Sequence, residues 1–93
     1  MSEPHVVDNP PELRYEIRVD DRVAGEIRYT LDGEVVTMVH TEVDPEFEGS
    51  GLGGTLVAGA LDDVRAQGRR VRPLCPFVAK YIARHPEYAD LVA

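Results

Sequence analysis

The chain has 93 residues, 43% hydrophobic and 29% charged, a balance that fits one small globular domain and excludes a disordered or multi-domain chain. A net charge of −7 excludes an overall basic surface, so no nucleic-acid partner is expected. Acidic residues dominate the first half, whereas Arg65, Arg69, Arg70, Arg72, Lys80 and Arg84 gather in the second, where they are either a solvated charged surface or a field favourable to an anion.

Residues 1–12 are polar and carry Pro4, Pro10 and Pro11. No basic segment followed by an apolar run occurs there, so a mobile lead-in is expected rather than a secretory leader, with the domain proper at 13–93. No apolar run approaches the roughly 20 residues of a membrane span. A cytoplasmic protein without a membrane partner is therefore expected.

From Leu13 the pattern alternates. Leu13, Tyr15, Ile17 and Val19 oppose Arg14, Glu16, Arg18 and Asp20, which predicts a half-buried strand. Asp20-Asp21 marks a turn. Val23, Gly25, Ile27, Tyr29 and Leu31 then alternate with Glu26 and Arg28. Asp32-Gly33 is a two-residue hairpin signal, and a β-branched third strand covers residues 34–43. Asp44-Pro45 breaks it. Leu52, Leu56, Val57, Ala60, Leu61 and Val64 have helical spacing, ending near Gly68. A short strand at 70–74, a helix at 77–84 and a last helical turn at 87–92 complete the chain. The expected fold is a single mixed α/β (α+β) domain, an antiparallel β-meander followed by α-β-α.

The run Gly49-Ser50-Gly51-Leu52-Gly53-Gly54 stands between a strand and a helix. A helix start offers unpaired N–H groups and the positive end of the dipole. Glycines let a backbone approach an anion closely. Each glycine inside a helix costs about 1 kcal/mol relative to alanine, so Gly53 and Gly54 need a reason. A phosphate or pyrophosphate cradle supplies one; a flexible surface turn is the alternative. A P-loop is excluded because Thr55-Leu56, not a lysine, follows Gly54. A dinucleotide fingerprint matches as Gly49-x-Gly51-x-x-Gly54, but it needs a βαβ unit and an acidic residue about 20 positions on. No acidic residue occurs between Asp63 and Glu87.

Cys75 is the chain's single cysteine, which excludes an intrachain disulfide, and no Cys/His spacing predicts a metal site. Pro76 suits a first helical position, so Cys75 falls near the N-cap, where a thiolate is stabilised. Two readings stand: a nucleophile or general base, or a small buried apolar residue. By alternation His40 shares a face with Val36, Met38 and Glu42, either packed there or removing a proton. His85 reads as a helix-end residue and His5 as part of the tail. Lys80 and Arg84, four apart, share a helix face.

The segment Glu48-Gly49-Ser50-Gly51-Leu52-Gly53 resembles the pyrophosphate motif of the GNAT acetyltransferase superfamily, Gln/Arg-x-x-Gly-x-Gly/Ala. Gly51 and Gly53 match; Glu48 departs, which leaves the backbone cradle intact but gives its side chain no phosphate role. Pro73-Leu74-Cys75-Pro76-Phe77-Val78, Tyr81-Ile82 and His85-Pro86-Glu87-Tyr88 are similar to the very small GNAT-like acetyltransferases of about this length. The resemblance, over residues 13–92, implies acetyl transfer from acetyl-CoA to an unidentified amine, free or on a protein. It implies catalytic roles for Cys75 and His40. It assigns CoA to Val43, Gly49, Ser50, Gly51, Leu52, Gly53, Gly54, Pro76, Phe77 and Lys80. The pantetheine would enter a splay between the strands ending at Val43 and Leu74. Phe77 either lines that channel or fills the core, and Lys80 with Arg84 either meets the nucleotide phosphates or forms an exposed basic stripe. Direct attack by the amine and passage through an acetyl-cysteine both remain open. Three strands follow the lead-in directly, so an open acceptor site is expected. A CoA-binding module without turnover is the alternative, and a plain interaction domain with a structural glycine turn is the third reading.

Overall fold

The alternating segments do pair as strands. The computed structural model describes residues 3–93; Met1 and Ser2, the start of the expected lead-in, lie outside the described residues. Its single sheet runs in chain order: β1 (His5–Asn9), β2 (Arg14–Val19), β3 (Arg22–Asp32), β4 (Val35–Val43) and β5 (Arg70–Pro73). β1 to β4 are antiparallel neighbours, and β5 lies parallel to β4. A parallel pair needs a crossover, which the helix α1 (Leu52–Ala66) supplies. The helix α2 (Pro76–Arg84) follows β5, and a 3-10 segment, Pro86–Leu91, ends the chain.

Four antiparallel strands, rather than three, precede α1. The polar start of the chain is not a lead-in: β1 pairs with β2 from His5↔Arg18 to Asn9↔Arg14. Pro10 opens a 3-10 turn, Pro10–Glu12, that bends the chain into β2. The strand is held from a distance. Asp8 accepts the Tyr29 hydroxyl at 2.7 Å, Asn9 donates to Glu16 at 2.9 Å, and Val6 packs against Gly59 of α1. Five residues are too few for alternation to show, and these partners lie far off in sequence.

The six apolar positions of α1 are all buried against Tyr15, Ile17, Ile27, Tyr29, Val36 and Met38 of the sheet. The hairpin turn falls one residue later than expected, because Asp32 pairs with Val35 and leaves Gly33, at φ 61°, with Glu34. Two bulges change which side chains face the helices. β2 and β3 pair as Ile17↔Gly25 and then Arg18↔Val23, so Ala24 is the extra residue and Val23 is exposed. β3 and β4 pair as Arg28↔His40 and then Tyr29↔Met38, so Val39 is extra.

The face of the sheet away from the helices carries charge. Glu16, only 1% exposed, is held by Arg14 at 2.7 Å and Arg18 at 2.6 Å. Burial pushes its carboxyl up, but bonds from Asn9, Arg18 and Arg14 outweigh that and hold it down at about 2. Glu26 extends the lattice to Arg14 and Arg28.

Candidate functional site

The link from β4 to α1 begins with Asp44, whose carboxylate accepts the Glu46 N–H at 2.9 Å and caps the turn Pro45–Phe47. Gly49 and Gly51 then take φ values of 82° and 81°, a left-handed conformation in which a side chain would be strained. Gly51 is the N-cap of α1 and offers no side-chain cap. The first intrahelical bond runs from Thr55 N to Gly51 O at 3.3 Å, so the amides of Leu52, Gly53 and Gly54 precede it, free of helical partners. Ser50 is exposed, and its hydroxyl donates back to the Phe47 carbonyl.

These amides border a groove of about 260 Å³, lined by Val43, Phe47, Glu48, Gly49, Gly51, Leu52, Gly53, Gly54 and Phe77. Gly53 has a specific reason to be glycine: a Cβ there would lie 2.9 Å from Phe77 Cζ. Phe77, 47% exposed, thus lies over the helix start rather than in the core. Of the residues expected at the cofactor, the structure brings together Val43, Gly49, Gly51, Leu52, Gly53, Gly54 and Phe77. Lys80 lines a neighbouring groove with Arg84, and Glu48 borders the cradle as an exposed carboxylate.

The pairing of β4 with β5 ends at Met38↔Pro73. One further bond, Cys75 N to Met38 O at 2.9 Å, closes the junction. Beyond it β4 continues to Val43 while the segment after β5 turns away into α2, so the two strands splay apart. Val39 and Leu74, the first residues past the paired stretch, are 44% and 61% exposed and give the opening an apolar mouth.

Cys75 is the N-cap of α2 with Pro76 at the first helical position. It is also buried, at 5% exposure, so it combines the packed position with the polar one. Its sulfur lies 3.3 Å from the Thr41 hydroxyl. Burial pushes the thiol up, but the Thr41 hydroxyl and the N–H groups of Val78, Phe77 and Thr41 outweigh it and hold the thiol below its ordinary range.

His40 does not share a face with Val36 and Met38. The bulge at Val39 shifts the alternation by one residue, so Thr41 faces Cys75 and His40 faces the charged side of the sheet. There its Nε2 lies 3.3 Å from Glu42 Oε1, with the ring 60% exposed. The expected pairing of His40 with Glu42 on one face is what the structure shows. Cys75 and His40 therefore flank β4 from opposite faces, and the residue in contact with the thiol is Thr41. Strict alternation from Val36 hides Thr41. Phe47 also lines the groove, and its signal in the sequence is an aromatic residue just before a glycine turn. His85 caps the end of α2, stacked on Tyr81, and His5 belongs to β1.

Free amides at a helix start, beside two splayed parallel strands, thus sit together on an α+β scaffold. Solved structures share that scaffold. The chain superimposes over its whole length on 91% of a GCN5-like protein from Staphylococcus aureus, at a TM-score of 0.73 and 22% identity. The ribosomal-protein-S18-alanine N-acetyltransferase from Escherichia coli matches 63% of the chain at a TM-score of 0.58 and 20% identity, and the match spans only 39% of that enzyme. A GNAT-family protein from Desulfovibrio desulfuricans matches 82% of the chain at 0.53 and 26% identity, over 52% of its own length. No curated protein matches the sequence. Residues 14–91 match the GCN5-related N-acetyl-transferase family, and the chain belongs to that family.

Proposed function

We propose that this protein transfers an acetyl group from acetyl-CoA to an amine. The observation that carries the reading is the continuity of the amide-lined groove at the start of α1 with the splay between β4 and β5, the two meeting at Val43 and Phe77. The diphosphate of CoA would accept from the amides of Leu52, Gly53 and Gly54, aided by the helix dipole. Glu48 takes no part, and Ser50 shapes the loop. The pantetheine arm would lie in the splay, where backbone groups past Met38 lack a β5 partner. The apolar mouth at Val39 and Leu74 and the start of α2 at Pro76 would flank the thioester. Family membership supports both the cofactor and the reaction.

Two routes fit the geometry. In one, the amine attacks the thioester carbonyl directly from the charged face, and His40 takes the proton while Glu42 stabilises the imidazolium. In the other, the Cys75 thiolate attacks first and expels CoA as its thiolate; the amine then attacks the acetyl-cysteine, takes the acetyl group, releases the Cys75 thiolate and gives up a proton that the CoA thiolate can accept. An amine displayed on a protein suits the charged, uncovered face of the sheet, and a cytoplasmic location is proposed with it. The separation of His40 from Cys75 by the width of β4 favours a second reading, a CoA-binding module without turnover.

Thermal unfolding with acetyl-CoA, paired with a CoA-release assay over mixed amines, tests both. At a ligand concentration a hundredfold above Kd, stabilisation of about 2.7 kcal/mol raises the Tm of a domain this small by roughly 10–20 °C. Stabilisation with release supports the enzyme. Stabilisation without release supports the binding module, and no stabilisation sinks both. In Cys75→Ala, full-rate release would assign the direct route and remove Cys75 from the chemistry.

A further inference from the structure

Resting on the transfer reading above, we propose that the uncovered face of the sheet receives an acidic segment of the acceptor, so that the amine acetylated is one flanked by carboxylates.

The strand registers sort the charges of this face by sign. Arg14 stands opposite Arg28, and Arg28 opposite His40. Glu16 stands opposite Glu26, and Glu26 opposite Glu42. A row of bases and a row of carboxylates therefore cross β2, β3 and β4 side by side. On the far side of the bases, Thr30, Thr37 and Arg72 form the next row, in which Arg72 donates to Thr37 at 3.5 Å. Like charges directly opposite one another destabilise a strand pair, so stability alone would alternate the signs across each pair. The compensating ion pairs run between the rows: Arg14 to Glu16 and Glu26, Arg28 to Glu26, and His40 to Glu42.

The two signs also lie at different depths. The Glu16 and Glu26 side chains are 1% and 19% exposed, whereas those of Arg18 and Arg28 are 42% and 52% exposed. The carboxylates are sunk beneath the guanidinium groups that cover them. Arg28 turns its Nε inward to Glu26 at 2.7 Å, and its outer N–H groups point to solvent. Arg72 is exposed and bonds to Thr37 rather than to a carboxylate. Arg14, Arg18, Arg28 and Arg72 thus face three glutamates, a local excess of positive charge in a chain of net charge −7.

This excess flanks the mouth of the splay. Arg28 lies across the strand pair from His40, a Cβ separation of about 4.5–5.5 Å. On the other side, Leu74 at the mouth follows Arg72 by two residues. An extended segment advances about 3.3 Å per residue, so acidic side chains one to three residues from the acetylated amine come within reach of Arg28 or Arg72. Guanidinium groups bind carboxylates through charge-assisted, often paired hydrogen bonds. A basic segment would meet those same guanidinium groups, and the glutamates that could receive it are engaged, Glu16 and Glu26 by arginines and the exposed Glu42 by His40. The acidity of the rest of the chain is screened beyond about 8–10 Å at physiological salt, so the local donors decide which segment docks.

Peptides of one sequence with a single free amine, flanked on both sides by glutamate, glutamine or arginine, test the assignment by CoA release with the full chain. The glutamate-flanked peptide should have a kcat/KM about tenfold above the glutamine-flanked one, the worth of one charge-assisted contact, with the difference carried in KM. The arginine-flanked peptide should be the poorest. Arg72→Glu, an exposed change that strips no carboxylate of its partner, should slow the glutamate-flanked peptide and speed the arginine-flanked one, while acetyl-CoA still raises the Tm. Equal kcat/KM for the three peptides, the highest value for the arginine-flanked peptide, or an equal loss on all three in Arg72→Glu would overturn the acidic acceptor and leave acetyl transfer in place. Release with none of the peptides, despite a rise in Tm with acetyl-CoA, would overturn transfer and this surface together.

Discussion

Gly59, in the middle of α1, decides whether the first strand is part of the fold in solution. A Cβ built there would lie 2.6 Å from Val6 Cγ2, 2.7 Å from Val6 Cβ and 3.1 Å from Val6 Cγ1. Carbon atoms in contact prefer about 3.5–4.0 Å, so Gly59→Ala creates an overlap of nearly 1 Å. Val6 cannot rotate out of the way, because the overlap includes its own Cβ; β1 must shift. Relief of a helical glycine contributes about 1 kcal/mol, and overpacking costs about 1–3 kcal/mol. The net expectation is a loss of up to about 2 kcal/mol. Val6→Gly removes every atom of the overlap, Cβ included, so the double variant should recover the helix gain and show a favourable coupling of at least about 1 kcal/mol. Urea unfolding followed by circular dichroism reads both. If Gly59→Ala instead stabilised the protein by about 1 kcal/mol, alone and equally in the Val6→Gly background, residues 5–9 would not be docked and the reasoning would be refuted.

Thr41→Val should raise the pKa of Cys75, because it removes the hydroxyl 3.3 Å from the sulfur while burial persists; Thr41→Ser should retain the native value. The chain has one cysteine, so thiolate ultraviolet absorbance against pH reports it directly, and equal titrations in the two variants would remove Thr41 as its positioning residue. Glu16 predicts an acid limit to stability. Its folded pKa of about 2 lies below the ordinary 4.5, so its contribution is complete above 4.5 and drains away as the pH falls towards 2. Glu16→Gln should lower stability at neutral pH by about 2 kcal/mol and flatten the decline in that window; an unchanged acid profile would show that the contribution lies elsewhere.

What the sequence determined by itself is what short-range physics can specify. The strand and helix segments, the glycine turn and the Cys75-Pro76 cap depend on side chains within a few positions of one another, and all could be read directly. Glycines at positive φ and a proline at a helix start carry their conformations with them. Tertiary structure decided the rest. β1 has little pattern of its own and exists through Tyr29, Glu16 and Gly59. The bulges at Ala24 and Val39 belong to pairs of strands, since an extra residue is extra only against a partner. One such residue moved His40 away from Cys75 and put Thr41 in its place. The buried state of Glu16 depends on Asn9, Arg14 and Arg18 converging on it. The glycine turn was legible because backbone geometry is local; the company it keeps was not, because contact between distant residues is created by folding.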